Sequence, residues 1–334
     1  MINNHTTFGI EIETQIPTNI AIRVGYHGNG LPVTEVTLSN GSVVQAPRFA
    51  GETWKADEDP SIRTANGFKK CEFVSPVLKG DQGLQHILEF LTFLKAIGAK
   101  RPIRMGGATQ GGIHVTIHAG TSCGSSSPAQ ILNWCEKVAR LGFKLSPVLY
   151  GQNAERRDLS QWCPLHPSRT LDAEIKRAKD YGTLNINIGK YALINFSKLR
   201  STGCIEFRGF STTLNPNKIM LIISSVFLIC QEANRANIPN WSSSRRIERT
   251  LASELFRTIW AWRSRRDITN FFPTLKRFSR SMFNWGYASC AWFDRLKNGS
   301  LPVASERGHC YIAVDQAVEL MSTPLWQSHV RGSI

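Results

Sequence analysis

FGIEIET, residues 8–14, alternates apolar and polar positions without a break. A period of two marks a half-buried strand, because successive side chains on a strand point to opposite faces. Ile10 and Ile12 then face a core, and Glu11 and Glu13 stand side by side on the opposite face. Two carboxylates at that spacing repel each other. They call for Lys, Arg or a metal ion beside them, or else for a face open to water.

Outward from this strand the pattern recurs. IHVTIH (113–118) puts His114, Thr116 and His118 on one face, with Val115 and Ile117 opposite. CIEFRGF (204–210) puts Glu206 and Arg208 together, opposite Ile205 and Phe207, and EFVSPVL (72–78) reads as a strand that carries Glu72 and ends at Pro76. Val33–Leu38 and Val43–Ala46 flank Ser39-Asn40-Gly41-Ser42, where Asn-Gly predicts a hairpin. Further strands are expected at Thr183–Ile188 and Tyr191–Phe196. A helix is expected over Gly83–Ile97, capped by Asp81, with Leu84, Ile87, Leu88, Leu91 and Leu94 on one face and Gly98 as its stop. Two more start at Ser127-Pro128, running to Gly142, and at Asn215-Pro216, running to about Ala233. Strands and helices alternate irregularly and several strands look hairpin-linked, so the expected class is α+β with a largely antiparallel sheet. Gly106-Gly107 and Gly111-Gly112 match neither a P-loop nor a dinucleotide fingerprint.

The chain has 334 residues, of which 42% are hydrophobic and 19% charged, which excludes global disorder. Forty Lys and Arg against 25 Asp and Glu give a formal net charge of +15. Such a surface favours polyanions or is simply a soluble basic one. The composition changes after about Asn234: Arg235–Arg280 holds 11 Lys/Arg and 3 Asp/Glu, interleaved with Trp241, Phe256, Trp260, Trp262, Phe271, Phe272 and Phe278. The expected division is therefore 1–235 and a basic, mostly helical 236–334, the latter offering a surface for a polyanion or protein partner. The apolar run Ile219–Cys230 is 12 residues long and interrupted by Ser224 and Ser225, short of the ~20 a membrane span needs. Residues 1–7 carry no basic stretch leading into an apolar one, so no secretory leader is expected. The eight cysteines form no C-x-x-C pair, which argues for buried thiols in a reducing, cytoplasmic setting and against a cysteine-type zinc site.

Carboxylates from three strands, with one His and one Arg, could line a single sheet face. Hard cations such as Mg²⁺ take oxygen ligands and bridge to phosphates, and the planar guanidinium suits a phosphate oxygen. That combination points to a Mg-nucleotide site. The ordered segments FGIEIE (8–13), WKADEDPSI (54–62), CEFVSPVL (71–78), GGIHV (111–115), YALINFSKL (191–199) and GCIEFRGFSTTLN (203–215) resemble the amidoligase family over about residues 6–235. The family's relatives are glutamine synthetase and glutamate–cysteine ligase.

The resemblance implies a glutamine-synthetase-like fold, a curved antiparallel sheet forming a partial barrel with helices packed outside. It also implies ATP- and Mg²⁺-dependent joining of a carboxylate substrate to an amine substrate (an amino acid, a peptide or a protein terminus) through an acyl phosphate. It casts Glu11, Glu13, Glu72, His114 and Glu206 as metal ligands and Arg208 as a phosphate contact. Asp59 of the Asp-x-Ser turn falls near the amine or a metal, with the amine preferred, and Asn195 matches an Asn that precedes the Glu-x-Arg strand. Lys55, and Arg156 or Arg157 ahead of Trp162-Cys163, fall to the nucleotide, and Arg157 is the one assigned. One position departs: the family often reads His-Val-His where this chain has His114-Val115-Thr116. The alternative expectation is a catalytically degraded fold used as a binding or structural module.

Overall fold

The alternating stretch at residues 8–14 forms the middle of a longer strand, β1 (Thr7–Pro17). The computed structural model describes residues 5–105, 108–109, 111–144, 149 and 168–235. Arg156, Arg157 and the basic region from residue 236 onward lie outside the described residues. After β1 come β2 (Gly25–Tyr26), β3 (Leu31–Pro32), β4 (Glu35–Thr37), β5 (Val43–Gln45), β6 (Arg48–Phe49), β7 (Glu52–Thr53), β8 (Lys55–Glu58), β9 (Phe68–Val74) and β10 (Leu78–Lys79). Then follow α1 (Gly80–Ala96), β11 (Arg104–Met105), β12 (Ala108–Thr109), β13 (Gly112–His118), α2 (Ala119–Cys123), α3 (Pro128–Lys144) and α4 (Ser168–Asp180). The described chain ends with β14 (Ile194–Asn195), α5 (Leu199–Thr202), β15 (Cys204–Ser211) and α6 (Pro216–Arg235).

Nine of the described strands form one sheet in the order β14-β15-β13-β1-β9-β8-β2, with β10 pairing β1 and β3 pairing β8. Its pairings are antiparallel except for the parallel β2–β8 edge, so the sheet is mixed, and its order is open between β14 and β2. β1 is central: Ile12 lies opposite Phe73 on one side and Ile113 on the other, and Ile10 lies opposite Val115. The same register sets Glu13 against Glu72 and Glu11 against His114. Between Ile113 and Val115 the pairing with β15 slips by one residue, from Phe210 to Phe207. This bulge lets Phe207 and Phe210, three apart in sequence, both enter the core.

Helices cover the Ile10/Ile12 face. Phe90 of α1 stacks on Trp54 at 3.6 Å and meets Phe73 edge-on at 5.4 Å, while Phe227 of α6 meets Phe8 edge-on at 5.1 Å. The Trp134 indole of α3 donates to the Cys230 carbonyl of α6 at 3.1 Å. The cap expected at Asn215 is present, its side-chain oxygen accepting from the Lys218 N–H at 3.2 Å. The hairpin of β4 and β5 also forms, with Gly41 at φ 81°. Cys71, Cys135 and Cys230 are buried free thiols, and no described helix is long and apolar enough to cross a membrane.

Several expected boundaries move. α1 begins at Gly80, three residues early, with Lys79 at the cap position and Asp81 inside the first turn. The strand bearing Glu72 spans Phe68–Val74, stopping short of Pro76, whose ring cannot donate to a ladder. Tyr191–Phe196 contributes only the two residues of β14 to the sheet. Thr183–Ile188 is not a strand. Its backbone is bonded to α4 instead: Asn187 N–H donates to Glu174 at 3.0 Å, and the Asn185 carbonyl accepts from Arg177 at 3.3 Å. Ile186 and Ile188 are buried without pairing, so the alternation there records burial alone.

Candidate active site

The face opposite the helices gathers the polar residues of six strands. His114 sits at the centre, its Nδ1 3.0 Å from Glu11 Oε2 and 3.6 Å from Glu206 Oε1, its Nε2 3.5 Å from Glu13 Oε1. Glu13 also accepts the Gly112 N–H at 2.5 Å, which ties β1 to the start of β13. Glu206 is fully buried and accepts from Arg208 Nη1 at 3.1 Å and Asn195 Nδ2 at 2.7 Å. Asn195 in turn accepts the Ser197 N–H at 2.9 Å, so this side chain clamps the segment after β14 onto Glu206. Glu72 lies one strand over from Glu13 and beside Asp57 of β8.

Five buried or half-buried carboxylates gather here, Glu11, Glu13, Asp57, Glu72 and Glu206, with Lys198 beside Glu11 and Glu206 and Arg208 beside Glu206. Burial pushes the Glu72 carboxyl up, and the charges of Glu11, Glu13, Asp59 and Asp57 push it further, to about 9. Burial likewise raises Asp57, against the N–H of Gly28. Burial works the same way on Glu11, but the hydrogen bond and charge of His114 and the charge of Lys198 outweigh it and hold that carboxyl well below the usual range. Glu11 is therefore held as the acceptor toward His114 and Lys198. For Lys198 and Arg208 burial disfavours the charge, yet Glu11 and Glu206 raise the first and Glu206 the second.

Such an excess of negative charge suits a hard cation. Ligand atoms of Glu11, Glu72 and His114 lie within 4.8 Å of one another, and a second set, His27, Asp59 and Glu72, shares Glu72. Among the described residues of this face, two buried side-chain atoms have no hydrogen-bond partner: Asp57 Oδ1 and Arg208 Nε. An unsatisfied guanidinium N–H beside a cation site is a donor for an anionic ligand. The donor set thus fits Mg²⁺ together with phosphate oxygens.

Of the other expected residues, Asp59 is in its turn, half-buried, accepting the Ser61 N–H at 2.7 Å. Lys55 is exposed on the same face of β8 as Asp57. Thr116 lies opposite Glu206 and Gly9, at the margin of the cluster. His118 does not take the place of a histidine at 116: its Nδ1 accepts the Thr121 N–H at 3.1 Å and caps α2. Sequence reasoning overlooked three participants. Lys198 lies within a quoted segment, three residues after Asn195, and Asp57 alternates with the noted Lys55. His27 belongs to GYHGNG (25–30), whose Gly28 N–H donates to Asp57 at 3.1 Å; its glycine density was the available signal.

Fold and site together define an α+β protein whose large sheet carries a carboxylate–histidine–arginine face. No family model matches the chain, and no curated protein matches it. Among solved structures it matches a bifunctional glutathione synthetase from Pasteurella multocida, at 10% identity and a TM-score of 0.38, covering 95% of this chain and 51% of that one. The chain thus spans about half the length of that enzyme, and the overlap is too loose to transfer residues or activity.

Proposed function

We propose that this chain is an ATP- and Mg²⁺-dependent carboxylate–amine ligase of amidoligase type. One observation carries the reading: side chains from four of the quoted segments, Glu11, Glu13, Glu72, His114, Glu206 and Arg208, converge on one sheet face, with an unpartnered Arg208 N–H among them. On this reading the nine-stranded sheet is the curved, partial-barrel sheet of such ligases. Residues 1–235 are then the catalytic unit, and 236–334 a basic extension for a polyanion or protein partner.

The γ-phosphoryl group of the nucleotide passes to an oxygen of the substrate carboxylate as ADP leaves, and a bound Mg²⁺ would supply positive charge against the phosphates. Glu11, Glu72 and His114 hold the ion, with Glu13 and Glu206 flanking them. Arg208, fixed by Glu206, donates to an oxygen of the transferring group. Asp59 lies beside Glu72 and His27 at the other end of the cluster, where it holds the incoming ammonium and accepts its proton. The neutral amine then forms the C–N bond as phosphate departs with the C–O electrons. Asn195 positions the segment beside Glu206, and Lys55 lies at the rim for the nucleotide.

The test is nucleotide-dependent melting followed by hydroxylamine trapping. At ~100 times its dissociation constant, Mg-ATP should add ~2.7 kcal/mol of stability, and less with either component alone. Supplied with its carboxylate, the protein should yield a hydroxamate. An unchanged melting shift in Glu11→Ala/Glu206→Ala would place the site elsewhere. A melting shift with neither hydroxamate nor ATP hydrolysis across a broad carboxylate panel favours the silent binding module, for which Thr116 opposite Glu206 is the structural argument.

A further inference from the structure

Lys198 answers two carboxylates at once. Its Nζ donates to Glu11 Oε1 at 3.2 Å and lies 3.8 Å from Glu206 Oε1. Its backbone is pinned: the carbonyl accepts the N–H and hydroxyl of Thr202, both at 2.9 Å, in the turn of α5, and Asn195 holds the preceding Ser197. The side chain is not pinned in the same way. It reaches the cluster on a four-carbon stem with 44% of its surface exposed, so it has a way out to solvent. Arg208 Nη1 lies 3.1 Å from the same Glu206 Oε1, and its charge repels Lys198.

The two oxygens it faces belong to the same cluster as His114 Nδ1. A Mg²⁺ ion takes oxygens at about 2.0–2.1 Å, so an ion held by Glu11 would draw on the same carboxylate that the Lys198 ammonium already binds at 3.2 Å. We propose that Lys198 is a tethered counter-cation, which holds the Glu11–Glu206 side of the site in the metal-free protein and is displaced when a divalent ion enters. The inference rests on the cation reading given above. Lys198 adds a second full cation beside two neighbouring carboxylates that Arg208, Asn195 and His114 already contact, offsetting their mutual repulsion before metal arrives. It also sets a cost on metal entry, because the ion must compete with a charge already in place.

The experiment measures Mn²⁺ binding to the full chain after EDTA treatment, by calorimetry, for wild type, Lys198→Met and Lys198→Arg. Lys198→Met keeps the stem and removes the charge. It should bind Mn²⁺ about tenfold tighter, equivalent to about 1.4 kcal/mol, while melting lower than wild type without metal. Lys198→Arg should stay near the wild-type affinity. Equal or weaker binding by Lys198→Met sinks the role of Lys198 but leaves the cation site intact. No Mn²⁺ binding by any of the three overturns both. Should Lys198→Met fail to fold, acylation of Lys198 in the wild-type chain, read by mass spectrometry, decides: labelling should rise with Mn²⁺, and unchanged or reduced labelling refutes displacement.

Discussion

Replacing Glu72 by Gln should stabilise the metal-free protein. Glu72 is buried on β9 among Glu13, Asp57, Glu11 and Asp59, and its carboxyl is raised from 4.5 to about 9. Between those values the unfolded chain has lost a proton that the folded chain keeps. Stability therefore falls as pH rises, by about 1.4 kcal/mol per unit, until the folded group itself ionises near 9. At pH 7 the accumulated loss from this group is about 3 kcal/mol, and at pH 5.5 about 1. Glu72→Gln cannot ionise, so urea denaturation in EDTA should show it more stable than wild type by roughly those amounts, the gap widening with pH. Saturating Mg²⁺ should reverse the order, because the ion uses the wild-type carboxylate and cannot use the amide. Metal entry would also release a proton from Glu72, so wild-type affinity should rise about tenfold per pH unit across the same window. A metal-free Glu72→Gln that is no more stable at pH 7, or a gap that ignores pH, would refute the reasoning.

Arg208→Ala and Asp59→Asn should fail at different steps. Loss of the guanidinium should slow acyl-phosphate formation by ~100- to 1000-fold, whereas Asp59→Asn should still yield hydroxamate, since hydroxylamine is already neutral near pH 7. Equal loss of hydroxamate in both would remove the separate roles. His86 is buried and its Nε2 accepts the Trp54 indole N–H at 2.9 Å, which requires a neutral ring. Burial holds its pKa below the ordinary 6.5, so stability should fall as pH drops below that value; a His86→Gln variant should flatten the acid limb, and an unchanged profile would clear His86. Asn215→Ala removes the cap of α6 and should cost about 1 kcal/mol in chemical denaturation, whereas a change of a few tenths would mean that another group satisfies the Lys218 N–H.

Much of the candidate site was legible because strand alternation is a local property. Glu11 with Glu13, His114 with Thr116, and Glu206 with Arg208 share faces through the pleat alone, whatever their strands pair with. The pairing was not legible. Nothing in FGIEIET says that Glu13 lies against Glu72 and Glu11 against His114, because register is settled by which set of apolar side chains, here Ile12 with Phe73 and Ile113, packs under the helices. The bulge in β15 has the same origin: it brings Phe207 and Phe210 into one core.

Thr183–Ile188 shows the limit in the other direction. Its alternation is real, but Arg177 and Glu174 of α4 hold its backbone, so burial and pairing part company. His118 shares the period of the site face yet is used by the first turn of α2. Lys198, Asp57 and His27 enter the cluster from a cap, an adjacent strand and a glycine-rich loop, at distances of up to 187 residues from the groups they face. Composition and alternation thus determined which residues can be buried together. Which carboxylates meet, and which cation answers them, was decided by chain reversals and packing, because electrostatic contact depends on separation in space and the sequence records only separation along the chain.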